Sequence, residues 1–430
     1  MLYNRVLKQM MFLREVYCMC KNKQELLDFI TQYYLESFEF NGLSNYNLQD
    51  YNNDDMLSLI QGGLVETISD KDADNIYIKG LDLNLTTQQH IDNANGLNGD
   101  VCFYPTAKAL QDVAIDVDRP YTALMQRGCP QLKIIYFNIE VLERYINNPQ
   151  YTILDYGYKG SIYLKDEFED ESLHQEYIQE YAMAYKRGDK LFRTVGVLLC
   201  DLMKLSSKAQ HLWKSFEYDN QEDYFASTGF IKNAFYGAWV NEYWVMDAIL
   251  KEMEVINTQC EAIGIPSLFN RIYSTDERPA GYGVILLPTM KNYYDFVAVM
   301  EKLIVHNIST KTFLVNAHLI QGVDKKKDDG TDKGSLVLLN EWLDKNVRAQ
   351  FDVDEIIIKT LKEIRKIRQV PAHKLYDNEY NVDVYELQRE LVEKSYFALK
   401  TMRCLFMGHP SAKNVDIPKC LLEEDQIVFY

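Results

Sequence analysis

The chain reads as an α+β region followed by a mainly α-helical region, and three observations lead there. Strand-like runs bounded by turn residues crowd the first 175 positions, and apolar residues recur at helical spacing through most of the remainder. In addition, 47% of the 430 residues are apolar, enough for two or three packed domains. Twenty Gly and 10 Pro exclude collagen-like and linker-dominated chains. The expected organisation is an α+β recognition or regulatory domain over 1–175, a helical connecting region over 176–260 and a helical bundle over 261–430.

Residues 1–38 carry apolar positions at helical spacing, among them Leu26, Phe29, Ile30, Tyr33 and Tyr34, and predict a helix. The Asn/Asp-rich stretch 41–55 breaks it and is expected as a loop. Next come the Gly62-Gly63 turn, a strand at Ile76-Tyr77-Ile78 and a polar loop from Thr86 to Asp100. The run 132–137 follows the turn signal Gly128-Cys129-Pro130 and predicts a strand, and 151–154 with 160–164 predicts a hairpin. The acidic run 166–171 is expected as a solvated seam between domains. Beyond it the periodicity predicts helices near 175–187, 194–206, 229–262, 289–306, 335–347, 353–370 and 383–407, and an antiparallel bundle is their simplest packing.

Acidic residues number 63 and basic residues 46, a net charge of -17, which is the wrong sign for a protein that coats nucleic acid through a broad positive face. Any nucleic-acid contact must be local. Arg5, Lys8, Arg14 and Glu15 interrupt the first apolar runs before signal-peptide length, and no stretch reaches the roughly eighteen apolar residues of a spanning helix. The eight cysteines form no CxxC pair and have no His spaced to complete a zinc site. A cytoplasmic protein with reduced thiols, no metal, no cofactor and no membrane contact is expected. Phosphate-binding Gly-rich loops, GxSxG and HExxH are all missing from the sequence, which removes most nucleotide-dependent, triad and zinc hydrolases.

One local composition runs against the overall charge. Between 359 and 374 stand Lys359, Lys362, Arg365, Lys366, Arg368 and Lys374 against the single acid Glu363. On a helix Ile357, Leu361, Ile364 and Arg368 fall at i, i+4, i+7 and i+11, which predicts that Arg368 continues a core-facing stripe and needs a partner or a task there. Pro371 disfavours helical backbone at Val370, so a break or kink is expected just before His373.

The segment Arg368-Gln369-Val370-Pro371-Ala372-His373 has the form Arg, four residues, His. It resembles the signature of HEPN-domain ribonucleases, helical-bundle proteins of toxin, antiviral-defence and CRISPR-associated systems whose motif is Arg, four to six residues, His. The resemblance covers this motif and its helical setting in the last 170 residues or so, and the Ala before the His matches the CRISPR-associated form. Gln369 stands where many active members have Asn, Asp or His. The resemblance implies a HEPN-like bundle and metal-independent cleavage of single-stranded RNA, with His373 handling protons and Arg368 holding the phosphate. Lys366, Lys374, Arg365 and Gln369 would bind substrate, and a homodimer would join two motifs at one cleft. The expected function is a bacterial defence or stress endoribonuclease, with a protein or small ligand at the N-terminal domain as its trigger.

Two alternatives stand beside this reading. A second Arg/His pair, Arg403 and His409, has five residues between and falls within the same four-to-six spacing, though Gly408 and Pro410 mark a helix C-terminus where the His would simply complement the dipole. The competing class is a non-catalytic helical scaffold, with Arg368 paired to Glu390 or Glu393. Arg119 and Arg127, flanking a turn, form a weaker candidate anion pocket, and Trp213 with Trp244 could stack bases or fill the core.

Overall fold

The Asn22 side chain accepts hydrogen bonds from the backbone N–H groups of Gln24 and Glu25 and so starts the first helix, α1 (Lys23–Glu36), which buries Leu26, Ile30 and Tyr34. The computed structural model describes residues 22–48, 51–80, 83–96, 99–238, 243–373, 377–423 and 426–429, with the side chains of 190, 191, 372 and 373 outside that description. The helix expected over 1–38 is therefore seen from Lys23 onward, and residues 1–21 lie outside the described residues.

A small lobe follows, built from β1 (Leu43–Ser44), α2 (Asn53–Gln61), β2 (Val65–Ser69), α3 (Thr87–Asn95) and β3 (Val101–Pro105), with the strands antiparallel in the order β1-β3-β2. Two expectations are corrected here. Ile76–Ile78 is a turn, with only Ile76 buried, and the expected loop after Thr86 contains α3. The reason for α3 is a reciprocal capping box, in which the Thr86 hydroxyl takes the Gln89 N–H and the Gln89 side chain returns to the Thr86 N–H.

The larger sheet uses α4 (Pro120–Gln126), β4 (Ile134–Asn138), β5 (Tyr151–Asp155), β6 (Lys159–Leu164), β7 (Glu180–Lys186), β8 (Asp189–Leu198), α5 (Ser207–Lys214), β9 (Tyr224–Ala226) and α6 (Thr228–Tyr236). Its antiparallel order is β4-β8-β7-β6-β5, with β9 added to β7. The strand near 132–137 and the hairpin 151–164 are present. The helix expected near 175–187 is instead β7, and the span 194–206 opens with the end of β8 and holds only the short helix Leu199–Leu202. The cause is burial on both faces of β7, with Tyr181, Met183 and Tyr185 facing a core that includes Phe137 and Trp213, and Ala182 packing with Ala226 and Phe230. A strand covered on both sides loses the polar alternation that announces a strand. Since β6 pairs with β7 across it, the acidic run 166–171 is an excursion within one sheet, not a domain seam. The helical connecting region expected over 176–260 is likewise mostly strand up to residue 198.

The helical body contains β10 (Tyr243–Trp244), α7 (Val245–Ile263), α8 (Met290–Met300), α9 (Ser335–Asn346), α10 (Thr360–His373), α11 (Asp383–Met407) and β11 (Ile427–Val428). The single helix expected over 229–262 is two, because Gly237 turns left-handed (φ 58°) and closes α6. A π-helical turn, Glu301–Val305, extends α8, and another, Asp354–Lys359, leads into α10. One apolar core runs through this body, with α7 packed on α11 and α8 on α10. β10 and β11 pair in parallel, which brings residues 427–428 back beside the start of α7. No helix among the described residues is long and apolar enough to cross a membrane.

Gly160 shows how tightly the sheet is set. It lies across from Tyr181, whose ring occupies the space a Cβ would take, and the Tyr181 hydroxyl donates to Asp155 Oδ1 at 2.9 Å. Gly160→Ala is expected to push the ring aside and lower stability by roughly 2–3 kcal/mol, read from the urea midpoint, while Gly188→Ala, where no atom lies within 4 Å, suffers only the backbone strain of its positive φ.

Candidate functional site

The six basic residues near 359–374 sit on and beside α10, and their setting divides them. Lys359 pairs with Glu355, and Arg365 Nε lies 3.7 Å from Glu301 Oε1. Lys362, Lys366 and Arg368 are exposed and have no ion-pair partner among the described residues. Gln369 is exposed too, and Lys374 lies outside the described residues. The expected core-facing Arg368 is thus corrected. Ile357, Leu361 and Ile364 are buried as the stripe predicts, but beyond Ile364 no described residue of α10 is fully buried; Ile367 still packs against the core, while Arg368 beside it is exposed. Glu390 and Glu393 do not pair with Arg368. The nearby ion pair is Lys394 with Glu363, at 3.1 Å.

The expected break before His373 is corrected as well. The helix passes through Pro371 and ends at His373. Placed in the last turn, the proline forfeits one backbone donor, to the Ile367 carbonyl, with only two residues left to propagate the disturbance. The backbone puts His373 at the end of α10, and its side chain lies outside the described residues.

The second Arg/His pair is engaged in the architecture. Arg403 is buried on α11 and its Nε lies 2.6 Å from Glu252 Oε2 on α7, both side chains almost wholly enclosed. The His409 Nε2–H donates to the His318 carbonyl at 2.7 Å, and its Nδ1 accepts from the Ser411 N–H, capping the short turn Pro410–Ala412. The weaker candidates resolve in the same way. Arg119 donates to the carbonyls of Met203 and Leu205, Arg127 to those of Leu110, Gln111 and Val113, and Trp213 and Trp244 are buried in the two main cores.

A polar junction that the sequence reading missed joins the large sheet to the helical body. Arg278, in the loop after α7, sends Nη2 to Asp247 Oδ1 at 2.6 Å and Nη1 to the Asp155 carbonyl at the end of β5. Its guanidinium lies over the rings of Trp244, at 5.1 Å, and Tyr156, at 5.8 Å. Asp155 is enclosed and accepts from Tyr181, and burial pushes its carboxyl up. Burial likewise outweighs Arg278 at Asp247, whose carboxyl is pushed up to about 6. Nearby, Arg193 on β8 donates to Gln388 Oε1 at 3.3 Å and stacks on Tyr385 of α11. No sequence spacing signals this junction, because its members lie 123 and 195 positions apart.

No family model, curated protein or solved structure matches the chain.

The two arginines of the candidate motifs should separate by stability. Arg368→Ala is expected to change the unfolding free energy by no more than about 0.5 kcal/mol, whereas Arg403→Met, which strips Glu252 of its guanidinium, should cost roughly 3–5 kcal/mol in denaturant titration. Asp247 gives a pH signature. Its folded carboxyl ionises near 6 against about 3.9 unfolded, so the native state holds the extra proton between those values and stability falls as pH rises from 4 to 6. Urea midpoints across that range should fall less in Asp247→Asn than in the wild type.

Proposed function

We propose that the protein is a metal-independent endoribonuclease of HEPN type that acts on single-stranded RNA at the exposed end of α10. The observation carrying this reading is the guanidinium of Arg368, exposed and without an ion-pair partner among the described residues, on a helix whose exposed side chains include Lys362 and Lys366 in a chain of net charge -17. Phosphate contacts of this kind supply local, salt-sensitive affinity that the overall charge opposes. Arg368 holds the scissile phosphate through its planar fork of donors. His373 takes the proton from the ribose 2′-hydroxyl, which attacks the adjacent phosphorus and expels the 5′-oxygen, leaving a 2′,3′-cyclic phosphate and a free 5′-hydroxyl. Arg365, Lys366, Lys374 and Gln369 line the approach of the strand.

Five positions along a helix are roughly 7.5 Å of rise and 140° of rotation, so Arg368 and His373 of one chain occupy different faces of α10. A two-fold dimer solves this by pairing the Arg of one chain with the His of its partner, which is the arrangement we propose. The same separation favours a second reading, a non-catalytic scaffold with a HEPN-like bundle in which the cations near the end of α10 complement its dipole. Under either reading the trigger or partner would act through the sheet-bearing half.

The purified chain, incubated with labelled single-stranded RNA in excess EDTA, should release 2′,3′-cyclic ends. His373→Ala should reduce the rate by about 10²- to 10⁴-fold, and His409→Ala should leave it unchanged if it folds. Mixing inactive Arg368→Ala with inactive His373→Ala should restore about a quarter of wild-type activity, because half the dimers then carry one complete composite site. A wild type that cleaves nothing and a dimer that forms without α10 would establish the scaffold.

A further inference from the structure

The exposed side of α10 continues onto α11. Along α10, Lys359, Lys362, Lys366 and Gln369 are exposed at successive steps of three or four residues, and on α11 Lys394, Phe397 and Cys404 share one exposed face at i, i+3 and i+10. The ion pair of Glu363 with Lys394 holds the two helices side by side there. Phe397 is the unusual member of this surface. Its ring is 42% exposed while Tyr396, Ala398 and Leu399 beside it are buried, and it lies nearly parallel to Phe429 with ring centres 6.2 Å apart. Lys400 Nζ reaches over the same ring, 5.7 Å from its centre, on a flexible stem, so a base can take its place.

The charge of this face runs against that of the chain. Glu355 is held by Lys359 and Glu363 by Lys394, which leaves Lys362 and Lys366 without an ion-pair partner among the described residues. Glu393 and Glu390 stand one and two turns before Phe397, and beyond them the sequence holds no acid until Asp416. An unpaired nucleic-acid strand asks for two things, cations spaced along its phosphates and an aromatic face for a base. Lys362 and Lys366 lie four residues apart, about 6 Å of rise, and supply the first. Phe397 supplies the second. A duplex keeps its bases stacked on one another and has none to offer the ring.

We propose that the outer face of α10 and α11 binds single-stranded RNA, with a base stacked on Phe397 and phosphates held by Lys362 and Lys366, so that the strand is guided along α10 toward Arg368. The proposal rests on the ribonuclease reading for the destination of the strand, and it names the surface that holds the RNA away from the cleaved bond.

The test follows fluorescence anisotropy of a labelled uridine oligomer of about twelve nucleotides, 2′-O-methylated so that it cannot be cleaved, beside an abasic strand of the same length, on the full chain. Phe397→Leu, which keeps an apolar contact with Phe429, should weaken the uridine oligomer about five-fold or more and leave the abasic strand unchanged. Lys362→Gln and Lys366→Gln should each weaken both strands and lower the slope of log affinity against log salt by about 0.7, whereas Lys326→Gln should alter neither. Cleavage is scored separately on unmodified RNA. A wild type that binds with this pattern and cuts nothing keeps the binding face and removes the ribonuclease reading. Cleavage with unchanged KM in Phe397→Leu and Lys362→Gln keeps the ribonuclease and overturns the face. So does the absence of saturable binding, an equal loss of both strands in Phe397→Leu, or a Phe397→Leu chain that loses a dimer while its RNA affinity stays intact.

Discussion

The arrangement of the two halves depends on one buried cation. Arg278 is drawn out of a loop and enclosed between Trp244 and Tyr156, with Asp247 of α7 and the backbone carbonyl at the end of β5 as its hydrogen-bond partners. A charge in that position tolerates few rearrangements, because any shift of the sheet edge relative to α7 strands a guanidinium away from water. Such a pair contributes less to net stability than to the choice of one packing over its neighbours. It sets where the first turn of α7 stands, and thereby where Trp244, Val245 and Met246 meet Arg193 and α11.

The helical body was largely legible in the sequence because its helices are amphipathic. α8, α9 and α11 fall within a few residues of the expected spans, each burying one stripe against a shared core. β7 was not legible, since Tyr181, Ala182, Met183, Ala184 and Tyr185 are all buried and offer helix-forming residues with no alternation. α3 was readable in principle from Thr86 and Gln89, a capping pair three residues apart that outweighs the polar, loop-like composition around it.

The candidate site was legible as composition and illegible as placement. The spacing of Ile357, Leu361 and Ile364 gave the correct angular stripe, yet spacing carries no information on how far along the helix full burial extends, and Arg368 is exposed. Pro371 marked a disruption that one lost donor in a final turn does not produce. The junction around Arg278 left no trace at all, because ionisable residues that meet only in three dimensions have no period. The two π-helical turns, each a local widening of the helix, were equally unsignalled, and both pack against α10.

The parallel pairing of Trp244 with Val428 has a consequence for how the protein is made. The sheet that ends with β9 and α6 is complete in sequence by residue 236, so it can fold as soon as that length has emerged from the ribosome. α7 emerges next, but the strand that pairs beside its first turn follows 184 positions later, which at ordinary elongation rates is roughly 10 to 40 seconds. For most of that interval, until residues 383–407 have emerged, the face of α7 that α11 will cover, including Glu252 before it meets Arg403, stands open. The second half of the molecule is therefore assembled in one late step against a finished first half, and the nascent chain is at its most aggregation-prone, and most in need of a chaperone, between those two moments.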